Sequence, residues 1–448
     1  MTDMSPSSQP NNLYFALWRW HFYAGLIALP FMISLSITGA LYLFKDEINS
    51  TFFAKRNIVM AAGAMLPPSA IVAKAEAAFP QSHALSFNEP ASETSSANVI
   101  IATQQDKQIV WLDPYSGQVL DSVPRNREFF TVVKHLHSLD FFGDIANMLI
   151  EIVAGFALVL VVTGFYLWWP RGQRGGVMSV RGTAGKRVFW RDIHAVSGAI
   201  AGALIFFLAI TGMPWSGYWG EKTHALADKA GMGYPQGMWD NVPNSDMHAN
   251  HMMDKVGWTL STSPVPQSPS HSGASLNIDD AYKIARGSGM ARGFQLNLPK
   301  DAEGVFTASV FPDDLSQQRL LHIDQYTGQK LVDVGFKDYG AAAKTIEFGI
   351  NVHMGQEWGR LNQLLMLLTC FAILLSSVTA AIMWWKRRPQ GRLGVPPQPH
   401  DKKIYRTLLI VMLIFGCAFP LTGLAILLML GFDLLLVRHI PLLRKAFS

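Results

Sequence analysis

Four histidines stand at matched places along this 448-residue chain. His21 and His194 each open a long apolar run, with Gly four residues on and Thr-Gly at seventeen and eighteen: Gly25 with Thr38-Gly39, and Gly198 with Thr211-Gly212. His137 and His353 open two other apolar runs. Each has Gly six residues on, Thr at twenty-six and Trp-Trp at thirty-one and thirty-two: Gly143, Thr163, Trp168-Trp169, then Gly359, Thr379, Trp384-Trp385. An ionisable side chain in or near a bilayer is costly and is a functional-site hypothesis by default. Imidazole nitrogen ligates haem iron, and two imidazoles on one iron give a centre suited to passing electrons. The repeat therefore points to axial ligands for two haems, His21 with His194 and His137 with His353. The competing reading is interfacial anchoring, as for Trp18, Trp20, Trp168 and Trp169; four positions matched in two pairs weigh against it. No Cys-x-x-Cys-His is present, so the expected cofactor is non-covalent haem b, two per chain.

The elements that must hold these groups are membrane helices. A span needs about 20 mostly apolar residues, and five segments qualify: 22–44, 147–169, 193–215, 361–385 and 404–430. The first is too long for a signal-peptide core and lacks a small-residue cleavage site, so it reads as a retained anchor. The loop 171–191 holds six Lys/Arg and no acid, and 386–406 holds seven with Asp401 the only acid. Short basic loops stay cytoplasmic. The net charge of +5 thus marks orientation, with the N-terminus inside, the long loops outside and no nucleic-acid partner. Five spans put the C-terminus outside, against the basic residues Arg438, Arg444 and Lys445. Cys370 and Cys417 read as buried small hydrophobes.

Each long loop reads as a folded domain. Alternating stretches 99–112 and 305–323 end in Asp113-Pro114-Tyr115-Ser116-Gly117 and Asp324-Gln325-Tyr326-Thr327-Gly328. Alternation gives strands and Asp-x-Tyr-[Ser/Thr]-Gly gives a tight turn. A short helix precedes each, at 69–79 and 279–286. The expected fold is an all-α transmembrane bundle of about five helices, a duplicated unit, carrying two small periplasmic α+β domains. Its parts are a cytoplasmic tail 1–16, spans 17–44, 146–170, 192–215, 351–385 and 404–431, basic loops 171–191 and 386–403, exported domains 45–145 and 216–350 with a linker at 240–275, and a tail 432–448.

Companion groups carry two readings each. Arg19 and Arg191 precede their histidines and suit haem propionates, or are positive-inside flanks. Gly25 and Gly198 admit a flat ring or close helix packing. His135 precedes His137 by two residues, but the second copy has Asn351 there, which makes it a weak ligand candidate. His248 and His251, with Met247, Met252 and Met253, suit a soft metal such as copper, or form a polar loop. One difficulty follows from length. Trp168 lies 31 residues after His137, about 46 Å along a continuous helix, more than a hydrocarbon core of about 30 Å. A bend near Gly143 removes it. The fifth segment ends in Thr422-Gly423 but has Tyr405 where the others have His, which favours packing.

The Asp-x-Tyr-[Ser/Thr]-Gly hairpins resemble those of PepSY domains. The segment Trp18-Arg19-Trp20-His21 with Gly25 and Thr38-Gly39 resembles PepSY-associated transmembrane helices, as does Thr211-Gly212-Met213-Pro214-Trp215-Ser216-Gly217. The resemblance covers about 18–430. It implies a bacterial inner-membrane, iron-regulated protein similar to ferric-siderophore reductases, taking electrons from a cytoplasmic or membrane donor to a ferric siderophore or other ferric chelate outside. No Gly-x-Gly-x-x-Gly fingerprint is apparent, so that donor is separate. Two other classes compete: a PepSY-type sensor restraining a protease or partner, which has no use for paired histidines, and an iron-chelate permease, which wants more mid-span polar groups than Glu151.

Overall fold

The computed structural model describes residues 12–171, 175–240, 242–253, 256–269, 274–397 and 402–447. They form two compact units, one of 1–40, 136–221 and 364–448, the other of 41–135 and 222–363.

The first unit is helical. Five helices are long and apolar enough to cross a membrane: Leu13–Leu43, Asp144–Trp168, Arg187–Trp215, Arg360–Arg387 and Pro420–Val437. Small residues let the first and second spans approach: Ala16, Ala24 and Ala28 are buried with Val153 and Phe156, and Ile426 and Met429 close the same cluster. The second span packs on the third where Phe165 covers Gly202. The duplication is visible in detail. The Trp168 and Trp384 indoles each donate at 2.8 Å to a carbonyl nine residues on, of Val177 and Leu393, while Trp169 and Trp385 are exposed.

The second unit carries the β-structure. Strands β1 (His83–Asn88), β2 (Ala97–Ala102), β3 (Lys107–Leu112), β4 (Val119–Pro124), β5 (Gln295–Asn297), β6 (Val305–Val310), β7 (Arg319–Asp324) and β8 (Lys330–Gly335) form one antiparallel sheet, ordered β8-β7-β6-β5-β1-β2-β3-β4. Helices Pro68–Ala78 and Ile278–Gly287 cover one face over a single core containing Ile71, Phe87, Val99, Ala281, Phe294 and Leu296. The two Asp-x-Tyr turns match: Gly117 and Gly328 have φ +73° and +71°, Asp113 and Asp324 accept from the amides of Tyr115 and Tyr326, and each tyrosine hydroxyl donates to a carbonyl at 2.8 Å.

Five expectations change. The expected all-α class is incomplete, because the eight-stranded sheet is a major part of the molecule. The two small domains are joined: β1 pairs with β5 through Ser86–Asn297, Phe87–Leu296 and Asn88–Gln295. Separate four-stranded sheets would leave unpaired edges, and this pairing covers one edge of each. The expected linker 240–275 is folded over its described residues. Asn244–His248 pairs with Pro264–Pro266, and Trp258, Leu260 and Val265 are buried. The fifth segment is two helices, Lys402–Ala418 and Pro420–Gly431, because proline starts a helix better than it continues one. Gly416 and Gly423 touch across the turn. The chain then returns, so that Leu393 N–H bonds the Ala446 carbonyl at 2.7 Å and Asp433 meets Arg19. The C-terminal segment thus lies at the same face as the basic loop after Trp385, opposite to the five-span expectation.

Candidate functional site: an imidazole pair in the helical unit

His21 and His194 come together. Their ring centres are 6.2 Å apart and their planes cross at 83°. A metal–imidazole bond is about 2 Å and a ring nitrogen lies about 1.2 Å from its centre, so two imidazoles on opposite sides of one metal have centres about 6.4 Å apart. The observed spacing of 6.2 Å is close to that value.

Each ring is held at Nδ1. His21 Nδ1 lies 2.9 Å from Thr163 Oγ1, and His194 Nδ1 lies 2.9 Å from the Ser376 carbonyl. Gly164 clears room for His21: a side chain there would start 3.3 Å from its Cε1. An added Cβ at Gly198 would meet nothing within 4 Å, whereas Gly25 packs on Leu160.

His137 is arranged the same way at another level. It lies on a separate helix, Phe129–Ser138, and its Nδ1 is 2.9 Å from Thr38 Oγ1. Gly39 faces its Cε1. The turn after it contains Leu139 at φ +57° and Gly143 at φ +93°, and the second span begins only at Asp144. This break removes the 46 Å difficulty. Thr38 is 17 residues after His21, about 26 Å along the helix axis, so both levels fit within a hydrocarbon core of about 30 Å.

His353 belongs to the sheet-bearing unit. It closes the helix Ala341–His353, beyond which Gly355 and Gly359 have φ +78° and +56° and the fourth span starts at Arg360. The helix–turn–span arrangement of His137 is thus repeated. Buried Asn362 braces it by donating to the Val352 carbonyl at 3.0 Å.

The companion residues fare differently. Arg19 does not face outward for a propionate. It is buried, bonds Asp433 Oδ2 at 3.1 Å and Tyr23 at 3.0 Å, and also meets Asp433 Oδ1 and the Pro396 carbonyl. Arg191 bonds Asp192, a fully buried carboxylate that also binds Arg181 at 2.8 Å. His135 shares the helix of His137 but, two residues away, points to a different side. His248 ends a strand, and its Nδ1 meets the Thr262 carbonyl at 2.7 Å. The side chain of His251 lies outside the described residues. Among the described residues no group of three or more His, Cys, Asp or Glu could hold a metal.

The sequence reading missed Thr38, Thr163 and Ser376 as partners of the histidines. The signal for two of them was present as the threonines of the repeat. It also missed Asp433, which lies 414 residues from Arg19.

Spans of this number and length define a multi-pass membrane protein with a duplicated helix-and-sheet plan. The chain belongs to the PepSY-associated transmembrane family: the family model described as PepSY-associated TM region matches residues 18–387. The hairpin 402–437 lies beyond that match. No curated protein matches the chain.

Proposed function

We propose that the protein is a haem-dependent electron carrier of the bacterial inner membrane that reduces a ferric chelate of the siderophore class on the outer face. The observation that carries this reading is the His21–His194 pair, spaced at 6.2 Å as two ligands of one metal. The sequence repeat extends it to a second haem with His137 and His353 as ligands. Haem b supplies one-electron chemistry when bound. The protein's own part is to hold the ligand rings, exclude water with apolar spans and keep two ligand levels within one membrane thickness. Arg19 and Arg191 are left out of the propionate role because their partners are Asp433 and Asp192.

The substrate assignment rests on chemistry and on the family resemblance. Hard oxygen donors hold Fe(III) better than Fe(II), so one electron loosens the iron from its chelate. The donor is a separate cytoplasmic or membrane component. Purified protein in lipid should carry two haems per chain by pyridine haemochrome assay. In liposomes, chemically reduced protein should reoxidise on addition of a ferric siderophore, with Fe(II) trapped by an external chelator. Haem that stays reduced with every ferric chelate yet reoxidises with another acceptor would remove the iron assignment; protein that takes up no haem would remove the whole reading.

A further inference from the structure

We propose that Thr163, Thr38 and the main-chain carbonyl of Ser376 are positioning groups that fix the tautomer of three metal-binding histidines, with the proton on Nδ1 and the lone pair on Nε2; this rests on the haem reading above.

The assignment follows from counting hydrogens. A threonine hydroxyl has one hydrogen and a carbonyl has none. Thr163 Oγ1 is 2.6 Å from the Val159 carbonyl, and only the hydroxyl hydrogen can lie between those two oxygens. Thr163 Oγ1 therefore meets His21 Nδ1 as an acceptor, and Nδ1 carries the proton. Thr38 repeats the arrangement. Its hydroxyl donates to the Ser34 carbonyl at 2.7 Å, so it accepts from His137 Nδ1 at 2.9 Å. His194 has no alternative, because the Ser376 carbonyl can only accept. In all three rings Nε2 is left as the basic nitrogen, the form a metal takes. The partner of a ligating imidazole fixes ring orientation and raises ligand basicity.

The repeat explains why threonine stands there. Thr38, Thr163, Thr211 and Thr379 all turn the hydroxyl hydrogen back onto the carbonyl four residues earlier. The second copy departs at one point. Where Gly164 follows Thr163, Ala380 follows Thr379, and His194 bonds Ser376, one turn earlier on the same span. The pair His21–His194 is thus asymmetric, one ring held by a hydroxyl and the other by a carbonyl.

The test uses full-length protein with isotope-labelled histidine, haem titration and potentiometry. In haem-free wild type, NMR should find the His21 proton on Nδ1. Thr163→Val should weaken haem binding at the His21–His194 site about 10–100-fold and raise that haem's midpoint potential, because an unassisted imidazole donates less. Thr163→Ser should restore both. Thr38→Val should act on the other haem alone, and Thr369→Val, whose hydroxyl returns to the Leu365 carbonyl of its own helix at 2.8 Å, should leave the His21–His194 haem unchanged. Wild type that binds no haem overturns the functional reading. Wild type with two haems, and Thr163→Val indistinguishable from Thr369→Val, overturns this inference alone. If Thr163→Val loses both haems through misfolding, the tautomer in wild type decides: a His21 proton on Nε2 overturns it.

Discussion

Breaking the Arg19–Asp433 pair should cost more stability than any other single exchange of a charged residue in the helical unit. Both side chains are 8% exposed, so neither charge can turn to water when its partner is removed. Removing one member of a buried pair typically costs about 3–5 kcal/mol, whereas replacing both by apolar groups is often neutral. Asp433→Ala strands a guanidinium that retains Tyr23 and the Pro396 carbonyl, which places the expected loss toward the lower end, about 3 kcal/mol. The hairpin 402–437 should loosen, because Asp433 is its polar tie to the first span. The assay is a double-mutant cycle in one detergent, following denaturant midpoints and protease access to the C-terminal segment. Arg19→Met with Asp433→Leu should recover most of the loss and keep both haems. If Arg19→Met/Asp433→Leu restored stability but lost a haem, Arg19 would be a cofactor contact after all. If Asp433→Ala changed stability by under about 0.5 kcal/mol, the level of an exposed pair, the buried pairing itself would be wrong.

Other outcomes are equally specific. His21→Ala or His194→Ala should remove one spectral component, and His137→Ala or His353→Ala the other; difference spectra that assign His21 and His137 to the same haem would refute the grouping. Asp279→Ala removes the acceptor of two bonds from Ser69, at 2.8 and 2.6 Å; at about 1 kcal/mol each, thermal unfolding should show about 2 kcal/mol of destabilisation, and an unchanged midpoint would count against the fused sheet. Cysteines placed at Arg444 and in the loop after Trp385 should be labelled from the same side of sealed vesicles; labelling from opposite sides would contradict the returning hairpin.

The sequence by itself determined the repeat, and with it much of the plan. Matched spacings after His21 and His194, and after His137 and His353, exposed the duplicated unit, because a helix keeps its functional side chains at fixed intervals. Apolar runs located the spans, since a bilayer demands length and hydrophobicity whatever the neighbours are. Asp113–Gly117 and Asp324–Gly328 announced their turns because a left-handed glycine is a local requirement. Tertiary structure alone decided what depends on contacts between distant segments. The edge pairing of β1 with β5 is such a case, since backbone hydrogen bonds at an edge leave no signature in side-chain pattern. The return of the C-terminal helices depends on Pro420, and a proline in an apolar run reads equally well as a kink or a turn. Arg19 looked like a propionate group because its partner Asp433 is remote in the chain. Thr38 and Thr163 were visible as repeated letters, but only folding brought each hydroxyl to an imidazole on another helix, where its one hydrogen, already bound to its own helix, leaves it to accept.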